Sequence, residues 1–352
     1  SELRDALGQY QAAAFVNTIA ADSSGGALYA DMSAIPNVSA ELIERCEVGQ
    51  EGSGGRRAIT LNGSDPSCDW QVDSNSAHPG LMPPTQQPSL ITENYVSNMN
   101  DSYWLSNPDN RLEGYSPIIG NEQSARSLRT RAGLKFVGEL LKSGDKFSQQ
   151  SVEDLLFSHR HYGAELFLDD VLTVCNTQTD AQVVNACGVL SQWDRRQDID
   201  SVGAHIFNEF WSAARGINQH YAVPFDLDDP INTPRGLTLE NSATQELVSS
   251  ALNTAVEKLN ALDIPMNAEW GDVQFAVRNG EKIGIPGGSG RAGMFSVITS
   301  ALNDEAKGYS PITHGNSYIQ TVTWNDDGTP NAEVVLTYSQ SPEPDSPHYS
   351  DL

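Results

Sequence analysis

The sequence predicts an α+β fold. Apolar runs of strand-like composition occur near both ends of the chain, whereas helical periodicity dominates its middle. Strands and helices in separate stretches are typical of α+β proteins, since regular alternation would indicate a parallel α/β sheet. The 352 residues, 38% of them hydrophobic, suffice for the core of one large or two ordinary domains.

The first part of the chain is predicted to hold one helix and one hairpin. The helix is expected over 1–14, where four residues recur at helical spacing: Leu3, Leu7, Tyr10 and Ala14. The hairpin is expected over 15–32, because two apolar runs flank a Gly-rich turn. Residues 39–92 are predicted to be mostly loop, with a Gly-rich part at 52–55 and a Pro-rich run at 79–88.

The middle of the chain is predicted to be helical, with strands returning near the end. The helices expected from periodicity are 132–142, 150–158, 162–174, 180–193, 203–215 and 243–262. In the last of them Ser242 and Gln245 are expected to form a capping box. Its buried stripe is expected to comprise Leu247, Ala251, Leu252, Ala255, Val256 and Leu259. Two strands, 317–324 and 333–339, are predicted around the Asp-Asp-Gly turn at 326–328.

The charge balance limits the possible partners. Lys and Arg number 21 against 46 Asp and Glu, a formal net charge of −25. Phosphate-rich partners require a basic surface, so neither nucleic acid nor an anionic membrane is an expected partner. The sequence contains no run of 18 apolar residues, so no membrane-spanning helix is predicted.

The four cysteines fall into two close pairs, Cys46 with Cys68 and Cys175 with Cys187. Neither pair has the spacing of a zinc finger. Two local disulfides are therefore predicted, which indicates an oxidising compartment and hence a periplasmic or secreted protein. Each short loop closed by a bridge would contribute about 3 kcal/mol. The alternative is four buried free thiols.

Three motifs are interpreted as structural, so no cofactor or metal is predicted. His159 and His161, with Glu165 four residues further on, lack a third ligand, and we expect a surface helix end there. The segment 288–293 matches the dinucleotide fingerprint, but no βαβ unit surrounds it, and a tight Gly loop with close backbone contacts is expected. Loop carboxylates without the calcium-loop pattern are expected to be solvated: Asp65, Asp69 and Asp73.

A polar turn is predicted around Asn100. A strand at Tyr95 and Val96 is expected to end in amide-bearing residues, which bond their own backbone and break regular structure. Polar groups at a strand end are where sites are often built. The structural alternative is a turn that packs Tyr103 and Trp104 into a core.

Three segments carry a resemblance to a known family. They are Asn-Asp-Ser-Tyr-Trp-Leu-Ser-Asn-Pro at 100–108, Glu-Gly-Tyr-Ser-Pro-Ile-Ile-Gly at 113–120 and Arg-Ser-Leu-Arg-Thr-Arg at 126–131. The chain resembles the penicillin acylase family of N-terminal nucleophile (Ntn) hydrolases, in particular its acyl-homoserine-lactone and aculeacin acylases. Segments at 15–38 and 339–351 extend the resemblance over nearly the whole chain.

The resemblance implies part of an αββα four-layer sandwich with a helical excursion. Residues 1–119 would form a partial Ntn-hydrolase core with a disulfide-pinned loop, 120–262 a mainly helical region, and 263–352 the return to the β core. The chain would correspond to the later part of the family's β chain. Its partners would be the α chain, the earlier part of the β chain and an acylated small-molecule substrate, and the chain alone would be inactive because the nucleophilic Ser lies upstream.

The family's chemistry implies roles for two residues. Its N-terminal Ser attacks an amide carbonyl with its own α-amine as base. A backbone N–H and an Asn amide hold the oxyanion, and the resemblance places that Asn at Asn100, or at Asn98 if the alignment shifts by two. The family's Arg near the amine is assigned to Arg129, with Arg126 and Arg131 also open. Those arginines could instead pair with surface acids.

Two other functions are possible from the sequence. One is a secreted, non-catalytic binding protein that kept the fold. The other is a self-sufficient hydrolase that uses Ser1, although Ser1 opens a polar helix start instead of the buried strand expected of an Ntn nucleophile.

Overall fold

The computed structural model describes residues 2–13, 16–49, 59–144, 146–336, 339 and 341–350. The chain divides into two compact units, Ser1–Ser124 and Ala125–Leu352. Both units mix helices and strands, as expected of an α+β protein. The division of the sequence into three regions stays a prediction.

The first unit is built on a three-stranded antiparallel sheet. Its elements are α1 (Glu2–Tyr10), β1 (Thr18–Ala21), β2 (Ala27–Ala30), α2 (Ala40–Cys46), β3 (Glu47–Gly49), β4 (Thr60–Leu61) and β5 (Ser89–Thr92). The sheet order is β1-β2-β5, and all four residues of the central β2 are buried. The predicted hairpin is therefore confirmed for its described residues, and its turn is closed by the Asp22 carboxylate, which accepts from the N–H groups of Ser24 and Gly26.

The first helix is shorter than predicted. It ends at Tyr10 because Gln11 adopts a left-handed backbone with φ of 43°. The buried Gln11 side chain donates to the Met82 carbonyl at 2.7 Å and accepts from the Ala77 N–H at 2.8 Å. These long-range hydrogen bonds outweigh one further helical turn. Residues 14 and 15 lie outside the described part.

The described residues of 39–92 are mostly loop, as predicted, but four short elements interrupt them: α2, β3, β4 and β5. The helix α2 begins after Ser39, whose hydroxyl accepts from the Leu42 N–H, and the strand β5 lies near the end of the segment. A small core covers α2 and includes the Cys46–Cys68 disulfide. The strand predicted at Tyr95 and Val96 is not formed, since pairing with β2 ends with β5. The Gly-rich part at 52–55 lies outside the described residues.

The second unit contains helices and paired hairpins. Its helices are α3 (Leu128–Ser143), α4 (Gln149–Leu156), α5 (Tyr162–Cys175), α6 (Ala181–Leu190), α7 (Ala204–Ala213), α8 (Ser242–Ala261) and α9 (Trp270–Val273). Its strands are β6 (Tyr221–Val223), β7 (Arg235–Leu237), β8 (Phe275–Arg278), β9 (Glu281–Gly284), β10 (Ile298–Asn303), β11 (Gly308–Gly315), β12 (Tyr318–Trp324) and β13 (Pro330–Leu336). Consecutive strands pair antiparallel in four two-stranded sheets. The predicted β12–β13 hairpin is confirmed, with 337 and 338 outside the described part.

The largest core lies among α5, α6, α7 and α8. Phe207 is fully buried there, with its ring 5.3 Å from that of Trp193 and 5.4 Å from that of Phe210. The Cys175–Cys187 disulfide joins the end of α5 to α6. Both predicted cysteine pairings are thus present, and the free-thiol alternative is wrong.

The buried stripe of α8 is confirmed, but its predicted cap is wrong. Five of the six expected residues are buried, whereas Leu247 is only partly buried. The N-cap is Asn241, whose side chain accepts from the Ala243 N–H. Gln245 donates to the Leu239 carbonyl instead of closing a capping box. An Asn one residue earlier competes with Ser242 because both are favoured N-caps.

The prediction that His159 and His161 mark a surface helix end is wrong. Their residues are 7% and 0% exposed. His161 is the N-cap of α5, where its Nδ1 accepts from the Ala164 N–H at 3.0 Å. Its ring lies edge-on against those of Trp193 and Phe207, with centroids 5.6 and 5.0 Å away. The histidine therefore caps a helix from within the core.

The Gly-rich segment is a close-contact loop, as predicted. The N–H of Gly287 donates to the Gln197 carbonyl at 2.8 Å, and that of Gly288 to the Ser296 carbonyl at 3.2 Å. A Cβ on Gly293, whose φ is 85°, would lie 2.8 Å from the Tyr162 Cβ. Backbone at such distances leaves no room for side chains.

Two kinds of feature are absent from the part of the chain that the structure describes. No group of three or more His, Cys, Asp or Glu side chains in them is placed to hold a metal ion. None of the helices in the described ranges is both long and apolar enough to cross a bilayer.

Buried neutral histidines predict a pH-dependent stability. Burial lowers the pKa of His161 and of His205 to about 4, against 6.5 for an exposed histidine. Between pH 6.5 and 4 the unfolded chain takes up protons that the folded chain does not, so stability falls as the pH falls through this window. Each histidine contributes about 1.4 kcal/mol per pH unit there.

This dependence is measured by urea unfolding at several pH values. His161→Asn keeps an N-cap acceptor but removes one titrating group, and we expect a shallower loss of stability between pH 6.5 and 4. A variant that loses stability as steeply as the parent would contradict the assignment to His161.

Substitution of Gly287 is expected to lower stability, whereas substitution of a glycine within a helix is not. Gly287→Ala places a Cβ 2.6 Å from the Ser296 carbonyl oxygen at φ of 87°, so we expect a loss of about 2 kcal/mol or more. Gly188→Ala is the control, because Gly188 lies in α6 with open space around it, and a gain of roughly 0.5–1 kcal/mol is expected. If the urea midpoints of the two variants shifted by the same amount, the predicted clash at Gly287 would be contradicted.

Candidate active site

Asn100 lies in a tight polar turn of the first unit. Its N–H donates to the Asn98 side-chain oxygen at 3.0 Å, and its own φ is 55°, in the left-handed region that Asn tolerates. The Asp101 carboxylate accepts from the Ser102 N–H at 2.8 Å. Asn100 is exposed. The turn therefore presents its amide at the surface of the unit while Asn98 holds the backbone.

Two buried aromatic residues anchor this turn. Tyr103 and Trp104 are fully buried, so the packing that the structural alternative predicted is present. The Tyr103 hydroxyl donates to Glu122 and the Trp104 indole N–H donates to Glu113, both at 2.6 Å. Charge-assisted hydrogen bonds of this length are strong. Both buried side chains therefore have hydrogen-bond acceptors for their polar groups, and the residues that follow Asn100 are held in the core.

Glu122 gathers three donors under the turn. Besides the Tyr103 hydroxyl, it accepts from the N–H groups of Gly114 at 2.9 Å and Tyr115 at 3.0 Å. Burial, then the neighbouring Glu122, raises the pKa of Tyr103 far above its usual range. Tyr103 thus stays protonated and remains a donor at all ordinary pH values.

Asp31 is a titratable group that the sequence analysis missed. It directly follows β2, and burial raises the pKa of its carboxyl to about 6. Its charge acts on both Tyr29 and Tyr103, so it lies near the aromatic anchor of the Asn100 turn. A single Asp after a short strand carries no sequence signal of this kind, because its burial depends on distant segments.

The arginines of 126–131 lie at the start of α3 in the second unit. The helix begins at Leu128, with Ser127 as its N-cap, so Arg129 and Arg131 belong to its first turn. This corrects the predicted start at 132. The Ser127 hydroxyl accepts from the Thr130 N–H at 3.2 Å.

The arginines have different surroundings. Arg131 is 1% exposed; its Nε donates to the Ile231 carbonyl at 2.8 Å, and its guanidinium lies 5.6 Å from the Tyr162 ring. The suggestion that it pairs with a surface acid is wrong. Arg129 is half-buried, and its Cδ lies 3.1 Å from the position of a Cβ on Gly290. The missing side chain of Gly290 therefore makes room for Arg129.

The two assigned residues lie in different units. Asn100 belongs to the first unit and Arg129 to the second. Their catalytic roles stay predictions, as does the choice among the three arginines. Ser1 lies outside the described residues.

Comparison with known proteins places this turn and helix in a family. A sequence model of penicillin amidase matches residues 1–352. The chain belongs to the penicillin amidase family. The resemblance found from the segments around Asn100 is therefore confirmed over the whole chain.

Several proteins named as acylases are similar to this chain. It is 32% identical over 352 residues to the acyl-homoserine lactone acylase PvdQ of Pseudomonas syringae pv. syringae, covering 99% of this chain and 44% of that protein. It is 36% identical over 364 residues to the aculeacin-A acylase of Actinoplanes utahensis, covering 99% of this chain and 45% of that protein. The chain thus spans less than half the length of these penicillin amidase relatives.

The Glu122 carboxylate predicts a stability effect at the candidate site. Glu122→Ala leaves the Tyr103 hydroxyl and the N–H groups of Gly114 and Tyr115 without their acceptor, so we expect a loss of about 2 kcal/mol. Glu93→Ala removes an equal charge from an exposed position of the same unit, and a change within about 0.5 kcal/mol is expected. Urea unfolding measures both, and equal losses would show that Glu122 holds nothing in place.

Proposed function

We propose that this chain is part of an Ntn amidohydrolase that removes an acyl chain from an amine. Membership of the penicillin amidase family supports the reaction class, and relatives named as acyl-homoserine lactone and aculeacin-A acylases support an acylated amide as substrate. An acyl-homoserine lactone, a lipopeptide or a penicillin-like amide fits this class. The chain belongs within an αββα sandwich.

The observation that carries the proposal is the Asn100 turn. An exposed amide on a turn anchored by Tyr103 and Trp104 is a neutral donor held in a defined place. Donors already in place where negative charge develops stabilise a tetrahedral oxyanion without reorganisation. In this proposal Asn100 donates to the oxyanion, and Arg129 acts near the amine of the nucleophile.

The proposal makes the chain dependent on further segments. The nucleophilic Ser and the backbone N–H donor belong to the remaining parts of the enzyme, so the 352 residues alone are inactive. The span of less than half of the relatives' length supports this reading. The two disulfides support a periplasmic or secreted location, because disulfides persist in oxidising compartments.

Asn100 is tested by substitution in the complete enzyme. Asn100→Ala removes the side-chain donor to the oxyanion, so we expect turnover to fall by about 10²–10³. The measurement is the rate of acid release from an acylated amide. Asn94→Ala, in an exposed position of the same segment, is the control and is expected to leave turnover unchanged.

A third variant distinguishes the two alignments. A larger loss of turnover in Asn98→Ala than in Asn100→Ala would move the oxyanion donor to Asn98. Full turnover in both would remove the turn from the active site. No turnover in the complete, unsubstituted protein would instead favour a binding protein that kept the fold.

A further inference from the structure

A cavity of about 1010 Å³ lies in the second unit beside the start of α3. Three arginines line it: Arg126, Arg131 and Arg291. The described residues around it include no Asp or Glu, although the chain carries 46 acidic against 21 basic residues. Such a wall is positively charged in an otherwise strongly acidic protein.

Arg131 supplies a buried donor without an acceptor. It is 1% exposed, and its Nη2 is buried with no hydrogen-bond partner among the described residues. The acid that acts on it, Asp229, already accepts from the Asn232 side chain at 2.6 Å and lies 3.8 Å from Arg235. A buried cationic donor in this state is costly unless an anion satisfies it.

The first turn of α3 adds to the positive field. The residues 125–128 line the cavity, and the 16-residue helix begins there with Ser127 as its cap. The N-terminus of a helix favours anions because its first N–H groups and its dipole point outward. Two independent features therefore attract negative charge to the same side of the cavity.

Aromatic residues form another part of the wall. Trp211, Tyr221 and Phe225 line the cavity, and the Trp211 ring is stacked on Phe167 at 5.4 Å. This surface suits an apolar body rather than a hydrated inorganic anion.

We propose that this cavity binds a small aryl-bearing carboxylate. Its carboxylate is held by Arg131 with Arg126, Arg291 and the start of α3, because guanidinium groups bind carboxylates through paired hydrogen bonds. Its ring packs on the aromatic wall. The proposal takes Arg129 as the arginine near the nucleophile's amine, so that Arg126 and Arg131 are left for this cavity.

The proposal is tested by isothermal titration calorimetry of the 352-residue chain with 3-phenylpropanoate. We expect saturable binding with a Kd of about 1 mM or tighter. The matched neutral amide, 3-phenylpropanamide, should bind at least about tenfold more weakly, because it lacks the charge that the arginines recognise. Inorganic phosphate should not displace the acid at equal concentration.

Variants locate the binding in the cavity. Arg131→Met should abolish binding, and Arg291→Gln, at an exposed position, should weaken it about threefold to tenfold. Arg215→Gln is the control: it removes the same charge from an exposed residue between the lining residues Ala214 and Gly216, but Arg215 itself does not line the cavity, so binding should persist. Near-UV circular dichroism checks the fold, and if Arg131→Met unfolds, Arg291→Gln decides.

Several results would overturn the proposal. They are absence of saturable binding, equal binding of acid and amide, displacement by phosphate at equal concentration, and an unchanged Kd in Arg291→Gln. The first removes the ligand class, the second the role of the charge, the third the aromatic contribution and the fourth the location.

Discussion

Burial of Tyr103 and Trp104 is the constraint on which the candidate site depends. Both rings are fully buried, so their polar tips require partners, and the carboxylates of Glu122 and Glu113 supply them. Because these acids come from the segment that follows the turn, these hydrogen bonds also hold that segment against Tyr103 and Trp104. The position of the exposed Asn100 side chain thus depends on the buried residues Tyr103 and Trp104 that follow it.

The second unit follows the same logic at the start of α5. His161 caps that helix while its ring packs among Trp193 and Phe207, so one side chain satisfies a helix end and fills the core. Such a double use restricts the protonation state, because a charge at this position has no water. Helix ends that lie in the core therefore tie the stability of this unit to pH.

The features that the sequence predicted correctly are those that depend on nearby residues. Hairpins with Gly-rich turns, the buried stripe of α8, the close-contact glycine loop and the pairing of nearby cysteines depend on neighbours within a few turns of chain. Predictions failed where a distant partner intervened. Gln11 ends α1 because Ala77 and Met82 take its side chain, and the β5 strand exists because β2 offers it an edge.

The candidate site divides in the same way. The sequence by itself determined the family through its Asn100 and arginine segments, and it determined the polar character of the turn, because Asn and Asp side chains bond their own backbone. Only the tertiary structure decided that Asp31 is partly desolvated and that Arg131 is buried beside a cavity. Desolvation and unsatisfied charge arise from segments far apart in sequence, and no local pattern encodes them.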